Sequence, residues 1–75
     1  MKKTYGVCIG IYVSKDNFMF CEANNKKEAR QEGELYRRQW EISDPILAIV
    51  EIPEDISGDK VARCEYAMKG AINNG

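Results

Sequence analysis

Between Thr4 and Val13 the chain alternates with period two, and neither of the two interleaved sets contains a charge. Tyr5, Val7, Ile9, Ile11 and Val13 form one set; Gly6, Cys8, Gly10 and Tyr12 form the other. Period two marks a β-strand, whose successive side chains leave on opposite faces. An antiparallel strand with one wet face shows polar residues there. A strand uncharged on both faces therefore needs something packed over each. Ser14-Lys15-Asp16-Asn17 follows as a polar turn, and Phe18 to Ala23 reads as a returning strand. A four-residue loop closing a hairpin there sets Val13 opposite Phe18 and Ile11 opposite Phe20, aromatic-to-β-branched pairs worth roughly 0.2–1 kcal/mol each. The second face then gains Met19, Cys21 and Ala23, again without a charge.

Asn25 and Glu28 have the spacing of a helix N-cap and its third residue. Ala29, Gly33, Tyr36 and Trp40 recur at helical spacing as a core stripe. Arg30, Glu34, Arg37 and Arg38 lie largely off that stripe, with Glu34 and Arg38 as an i,i+4 ion pair. Gly33 costs about 1 kcal/mol relative to Ala in mid-helix; its missing side chain either admits Phe18 and Phe20 or marks a break in the helix. The run Ile46 to Ile52 is apolar and β-branched between Pro45 and Pro53. Asp44-Pro45 resembles a helix start, but Pro53 would stop that helix at once, so the reading is a third strand. A second helix runs from Asp59 to about Ile72, with Ser57 or Asp59 near its start and Val61, Cys64, Met68 and Ile72 as its buried stripe. The expected fold is α+β, β-β-α-β-α in order: a three-stranded antiparallel sheet with the first helix packed on the face of Ile9, Ile11 and Phe20. The second helix is the favoured cover for the opposite face, with a homodimer or a partner protein as the other candidates.

The 75 residues make a single domain, 1–75. A chain of this size buries only about 60% of its unfolded surface, so its margin of stability is thin. No apolar run approaches the ~18 residues of a membrane span, and no signal-peptide core follows Met1. Cys8, Cys21 and Cys64 are odd in number and widely spaced, which favours a reduced, cytoplasmic chain over a disulfide framework. A tetrahedral zinc site needs four ligands; three thiols and no histidine leave no metal or cofactor expected. The absent histidine also removes the commonest general base and the Cys-His and Ser-His nucleophile systems. Glu54 and Asp55 stand in a polar turn where water leaves both ionised. Binding, not catalysis, is the expected activity.

The net charge of −1 is a cancellation. Residues 1–40 carry eight basic and five acidic side chains, +3; residues 41–75 carry three basic and seven acidic, −4. Between Glu41 and Asp59 there is no Lys or Arg, and such a surface steers toward a basic groove on another protein. Candidate partner-binding residues are Glu51, Glu54, Asp55 and Asp59, with Tyr12 and Met19 from the uncharged sheet face. The rival reading is a nucleic-acid binder using Lys27, Arg30, Arg37 and Arg38 on the basic helix 26–40. Interleaved Glu28, Glu32 and Glu34 oppose it, as does the placing of Tyr36 and Trp40 in the core stripe. A third reading is a homo-oligomeric structural component joined through Tyr12 and Met19.

The passage Phe20-Cys21-Glu22-Ala23-Asn24-Asn25-Lys26-Lys27-Glu28-Ala29-Arg30 resembles a strand-to-helix junction of short β-β-α-β proteins from phages and other mobile elements. Small anti-CRISPR and counter-defence inhibitors are similar in size, acidity and element order over about Thr4 to Ile52. The resemblance implies an inhibitor that binds a host protein. It carries over no functional residue.

Overall fold

The alternating segment is the central strand. In the computed structural model, which describes residues 2–74, β1 (Lys3–Ile9) lies between β2 (Phe18–Ala23) and β3 (Ile46–Ile52), antiparallel to both. A middle strand is covered above and below, so Tyr5 to Ile9 are buried without interruption. Helix α1 (Lys26–Gln39) covers one face and α2 (Lys60–Asn74) the other. Beneath α1, Tyr5, Val7, Ile9, Ala23 and Ala29 form one core cluster, joined by Met19, Cys21, Ile42, Ile46 and Ile49. Beneath α2, Val50, Ile52, Ala67 and Ala71 form the other, joined by Val13, Phe18, Phe20, Ala48 and Ile56. The expected α+β fold and the second helix as cover for the far face are what the structure shows.

The hairpin register differs from the expectation. β1 ends at Ile9, and Cys8 pairs with Phe18 and Gly6 with Phe20, not Val13 with Phe18 or Ile11 with Phe20. The cause is the loop. Ser14 caps a 3-10 turn over Lys15–Asn17 by accepting the Asp16 N–H, and the Asn17 side-chain amide donates to the Tyr12 carbonyl at 2.8 Å. Gly10 N–H turns away to the Pro45 carbonyl at 3.0 Å, so Gly10 to Val13 leave the hairpin. An odd displacement of register exchanges the two faces of the partner strand. Met19 and Cys21 thus lie under α1, while Phe18 and Phe20 lie under α2; Ile11 is 75% exposed. Helix α1 therefore packs on Tyr5, Val7 and Ile9, not on Ile11 and Phe20.

Both helices are delimited by local chemistry. Asn25 Oδ1 accepts the Glu28 N–H at 2.9 Å, and Glu28 Oε1 accepts the Asn24 N–H at 3.0 Å, closing the expected start of α1. At its end, Ile42 N–H reaches the Arg37 carbonyl (2.8 Å) and Glu41 N–H the Arg38 carbonyl (3.3 Å), a Schellman pair around Glu41 at φ 53°. Asp59 Oδ1 accepts the N–H groups of Val61 and Ala62, both at 3.0 Å, and so caps α2. Gly33 is a close approach: a Cβ there would stand 3.0 Å from Val7 Cγ1 and 3.2 Å from Ile46 Cδ1. The space serves Val7 and Ile46, not the two phenylalanines. Between β1 and β3 the register slips, Cys8 facing Ala48 and Ile9 facing Ile46, which leaves Leu47 as an extra residue in a β-bulge.

Candidate functional site

Strand β3 leads into a 3-10 turn over Glu54–Ile56, and this end of the sheet gathers acidic side chains. Glu22, Glu51 and Glu54 line one depression together with Lys2 and Lys3. Glu51 meets Lys3 at 3.5 Å, each side chain half exposed. Asp55 follows Glu54, exposed in the same turn. The structure therefore brings Glu51, Glu54 and Asp55 to one end. Asp59 is nearby in the chain but its carboxylate is held by the first turn of α2. Tyr12 is exposed beyond the opposite end of β1, about 20 Å away along a seven-residue strand. Met19 is half-buried, packed against the cluster under α1.

Helix α1 carries the second surface. Tyr36 and Trp40 continue the stripe of Ala29 and Gly33, yet Tyr36 is exposed and Trp40 is 62% exposed, contrary to their expected place in the core. Gly33 already sits over Ile46, the first residue of edge strand β3. Trp40 is seven residues, or roughly 10 Å, further along the axis, and its ring is left largely uncovered. The two rings stand 6.2 Å apart at 50°. Lys27, Arg30, Leu35 and Arg38 line a shallow depression on the outer side. Of the acidic residues interleaved along the helix, Glu28 and Glu34 are engaged. Glu28 is in the cap, and Glu34 pairs with Arg37 at 2.9 Å, not with Arg38. Arg37 also donates to the Ser43 carbonyl at 3.3 Å, tying the helix end to the loop before β3.

The third surface is the outside of α2, where the expected stripe is reversed. Ala67 and Ala71 face the sheet, while Val61 is 68% and Ile72 61% exposed, with Met68 half-buried. The inner face uses small residues because the strands below present Phe18, Phe20 and Val50. Arg63 places its guanidinium carbon over the Phe20 ring, 4.4 Å from the centroid, and donates to the Ser57 carbonyl at 3.1 Å, closing the β2 side. Val61, Cys64, Met68 and Ile72 line a groove of about 610 Å³ with Lys15, Lys60, Glu65 and Lys69 around it.

The three cysteines are free thiols. Burial pushes the Cys8 thiol pKa up, with a backbone hydrogen bond at Ser14 opposing it in part. Burial and then the negative charge of Glu32 push Cys21 up as well. Neither favours the thiolate that would attack an electrophile or bind a metal. Cys64 is half-buried, its Sγ 3.7 Å from the Lys15 carbonyl oxygen. Among the described residues no group of three or more Cys, Asp or Glu is placed to hold a metal ion, and no helix is long and apolar enough to cross a membrane.

Sequence reasoning missed Trp40, Tyr36, Val61 and Ile72 as surface residues because large apolar side chains at helical spacing read as core. A length comparison held the signal for Trp40: fourteen helical residues span roughly 21 Å, about twice the ~10 Å across three strands.

The elements define a small α+β domain, a three-stranded antiparallel sheet between two helices. Comparison with protein-family models, with curated proteins and with solved structures finds no match for this chain.

Proposed function

We propose that this chain is a non-enzymatic protein-binding module, an inhibitor from a phage or other mobile element that occupies a basic or nucleic-acid-binding surface of a host protein. The observation that carries the reading is Trp40, 62% exposed at the end of a capped helix beside the more covered ring of Tyr36. Tryptophan and tyrosine dominate binding hot spots. Burying the exposed part of Trp40, from a side chain of about 150–250 Å², is worth about 3 kcal/mol at ~25 cal/mol/Å². The acidic end at Glu22, Glu51, Glu54 and Asp55 supplies the charge that steers such a module to a basic surface. The test is affinity capture from extracts of the native host. A protein retained by the native chain is lost with Trp40→Ala and weakened, in a salt-dependent way, by Glu54→Lys with Asp55→Lys. Retention of nothing, or of the same proteins by all variants, refutes the reading.

A second reading is favoured by one observation. With Glu28 and Glu34 engaged, Lys27, Arg30 and Arg38 gather along one outer depression of α1, a basic stripe suited to the phosphates of a nucleic acid. It predicts affinity for RNA or single-stranded DNA that falls steeply with salt, about 0.7 in log–log slope for each phosphate neutralised. The protein-binding reading predicts no such affinity.

A further inference from the structure

The outer groove on α2 is apolar along its floor and basic along both edges. At about 100° per residue, Val61, Cys64, Met68 and Ile72 fall within roughly 80° of arc, and Lys60 and Lys69 stand about 180° apart on either side of them. Cys64 is the nearest of the four to the sheet. The turn at Lys15 closes that edge, its carbonyl oxygen 3.7 Å from Cys64 Sγ. The rim therefore sets Lys15, Lys60 and Lys69 against Glu65 alone, three positive charges to one negative. All four of these residues are exposed, and among the described residues the ion pairs lie elsewhere, at Lys3–Glu51 and Glu34–Arg37. The floor dips in its middle. Cys64 and Met68 are half-buried, while Val61 and Ile72 at the two ends are the most exposed of the stripe. Eleven residues of helix put those ends roughly 16 Å apart.

We infer that this groove docks an acidic amphipathic helix of another protein. Its apolar residues rest on Val61, Met68 and Ile72, and its Asp or Glu side chains meet Lys15, Lys60 and Lys69. Charge selects the occupant: a second copy of this chain would set one lysine rim against another. A compact anion cannot cover Val61 and Ile72 together. A helix with apolar residues at i, i+3 or i+4, i+7 and i+11 matches the stripe turn for turn. It can also send a long side chain into the dip at Cys64 and Met68, which a flat bilayer would span. The groove is distinct from Trp40 and from the acidic end at Glu51, Glu54 and Asp55, so it adds a second docking surface to the function proposed above.

The test titrates the isotope-labelled chain with three probes, followed by nuclear magnetic resonance. They are a Leu/Glu peptide made as an amphipathic helix, the same peptide with Lys for every Glu, and vesicles of phosphatidylglycerol. The Leu/Glu peptide is expected to saturate, to shift amides of α2 and the Lys15 turn, and to slow alkylation of Cys64. The other two probes are expected not to bind. Ile72→Asp lowers the affinity for the Leu/Glu peptide about 10-fold. Lys60→Glu with Lys69→Glu lowers it about 10-fold at low salt and less at high salt, and the Leu/Lys peptide then binds in its place. These three positions are exposed, and circular dichroism checks that the variants fold. Trp40→Ala leaves every affinity unchanged. No saturation by about 1 mM peptide, equal affinity for the two peptides, vesicles bound as well as the Leu/Glu peptide, or a charge reversal without effect overturns the inference.

Discussion

Replacing Gly70 by alanine sets two effects of comparable size against each other, and the structure decides which prevails. Gly70 lies inside α2, where alanine is favoured over glycine by about 1 kcal/mol. A Cβ at this position would stand 2.8 Å from Val50 Cγ1, 3.3 Å from Cγ2 and 3.7 Å from Cβ, whereas carbons in contact prefer roughly 3.5–4.0 Å. Val50 cannot rotate clear: its two methyls straddle the site, and every staggered rotamer keeps at least one of them within 3.3 Å. Its backbone is fixed by pairing with Gly6 in the central strand. Overpacking of this kind costs about 1–3 kcal/mol, so Gly70→Ala loses about 1 kcal/mol net. The variant Val50→Ala removes the obstruction and by itself loses about 2 kcal/mol, from two buried carbons at ~0.8 kcal/mol each plus a small void. In that background Gly70→Ala becomes stabilising by about 1 kcal/mol. The coupling between the two sites is thus about 2 kcal/mol, read from a double-mutant cycle of urea unfolding curves at matched protein concentration. If Gly70→Ala stabilises the native background by the full helix-propensity increment, the close approach of α2 to β3 described above is wrong.

Glu41 holds φ 53° at the end of α1, where a side chain costs about 1 kcal/mol that glycine does not; Glu41→Gly should raise the midpoint of denaturation accordingly. Asp59→Ala leaves the Val61 and Ala62 N–H groups without their acceptor and should cost about 1 kcal/mol in urea unfolding. The raised thiol pKa values of Cys8 and Cys21 mean that, above about pH 8.5, the unfolded chain releases thiol protons that the folded chain keeps. Stability is therefore fully present below that range and falls as pH rises through it, and Cys8→Ala with Cys21→Ala flattens the fall even though it lowers the plateau. In the native state a thiol reagent at neutral pH should modify Cys64 first and reach Cys8 only at the rate of global unfolding.

What could be read from the residues alone depended on whether local chemistry or tertiary fit decided the outcome. Pro45 and Pro53 delimit β3 because neither can donate to a ladder beyond it, and strand Ile46–Ile52 fills the interval they leave. The Asn25 and Glu28 cap likewise acts within four residues. The hairpin register was not legible, because Ile11 and Val13 continue the alternation by composition while Ser14 and Asn17 fold the same stretch into a turn. The inside of α2 was misread for a steric reason. Hydrophobicity ranks Val61 and Ile72 above Ala67 and Ala71 as core, but a helix resting on Phe18, Phe20 and Val50 fits only with small residues underneath. Of the candidate partner residues, Glu51, Glu54 and Asp55 are exposed together, whereas Met19 is packed against α1 and the carboxylate of Asp59 is occupied at a helix start.

The bulge at Leu47 has a consequence for how the chain behaves in crowded solution. β3 is an edge strand, and Ile46–Ile52 carries six apolar residues out of seven, the composition from which fibrils nucleate. An unbroken edge of that kind would template a strand from any neighbouring chain. The extra residue at Leu47 breaks the hydrogen-bonding rhythm after one residue and increases the local twist, while Pro45 and Pro53 block extension at both ends. A protein with so small a core visits its unfolded state often. The segment that would aggregate there is one that three adjacent features, two prolines and one surplus leucine, keep out of register with a copy of itself.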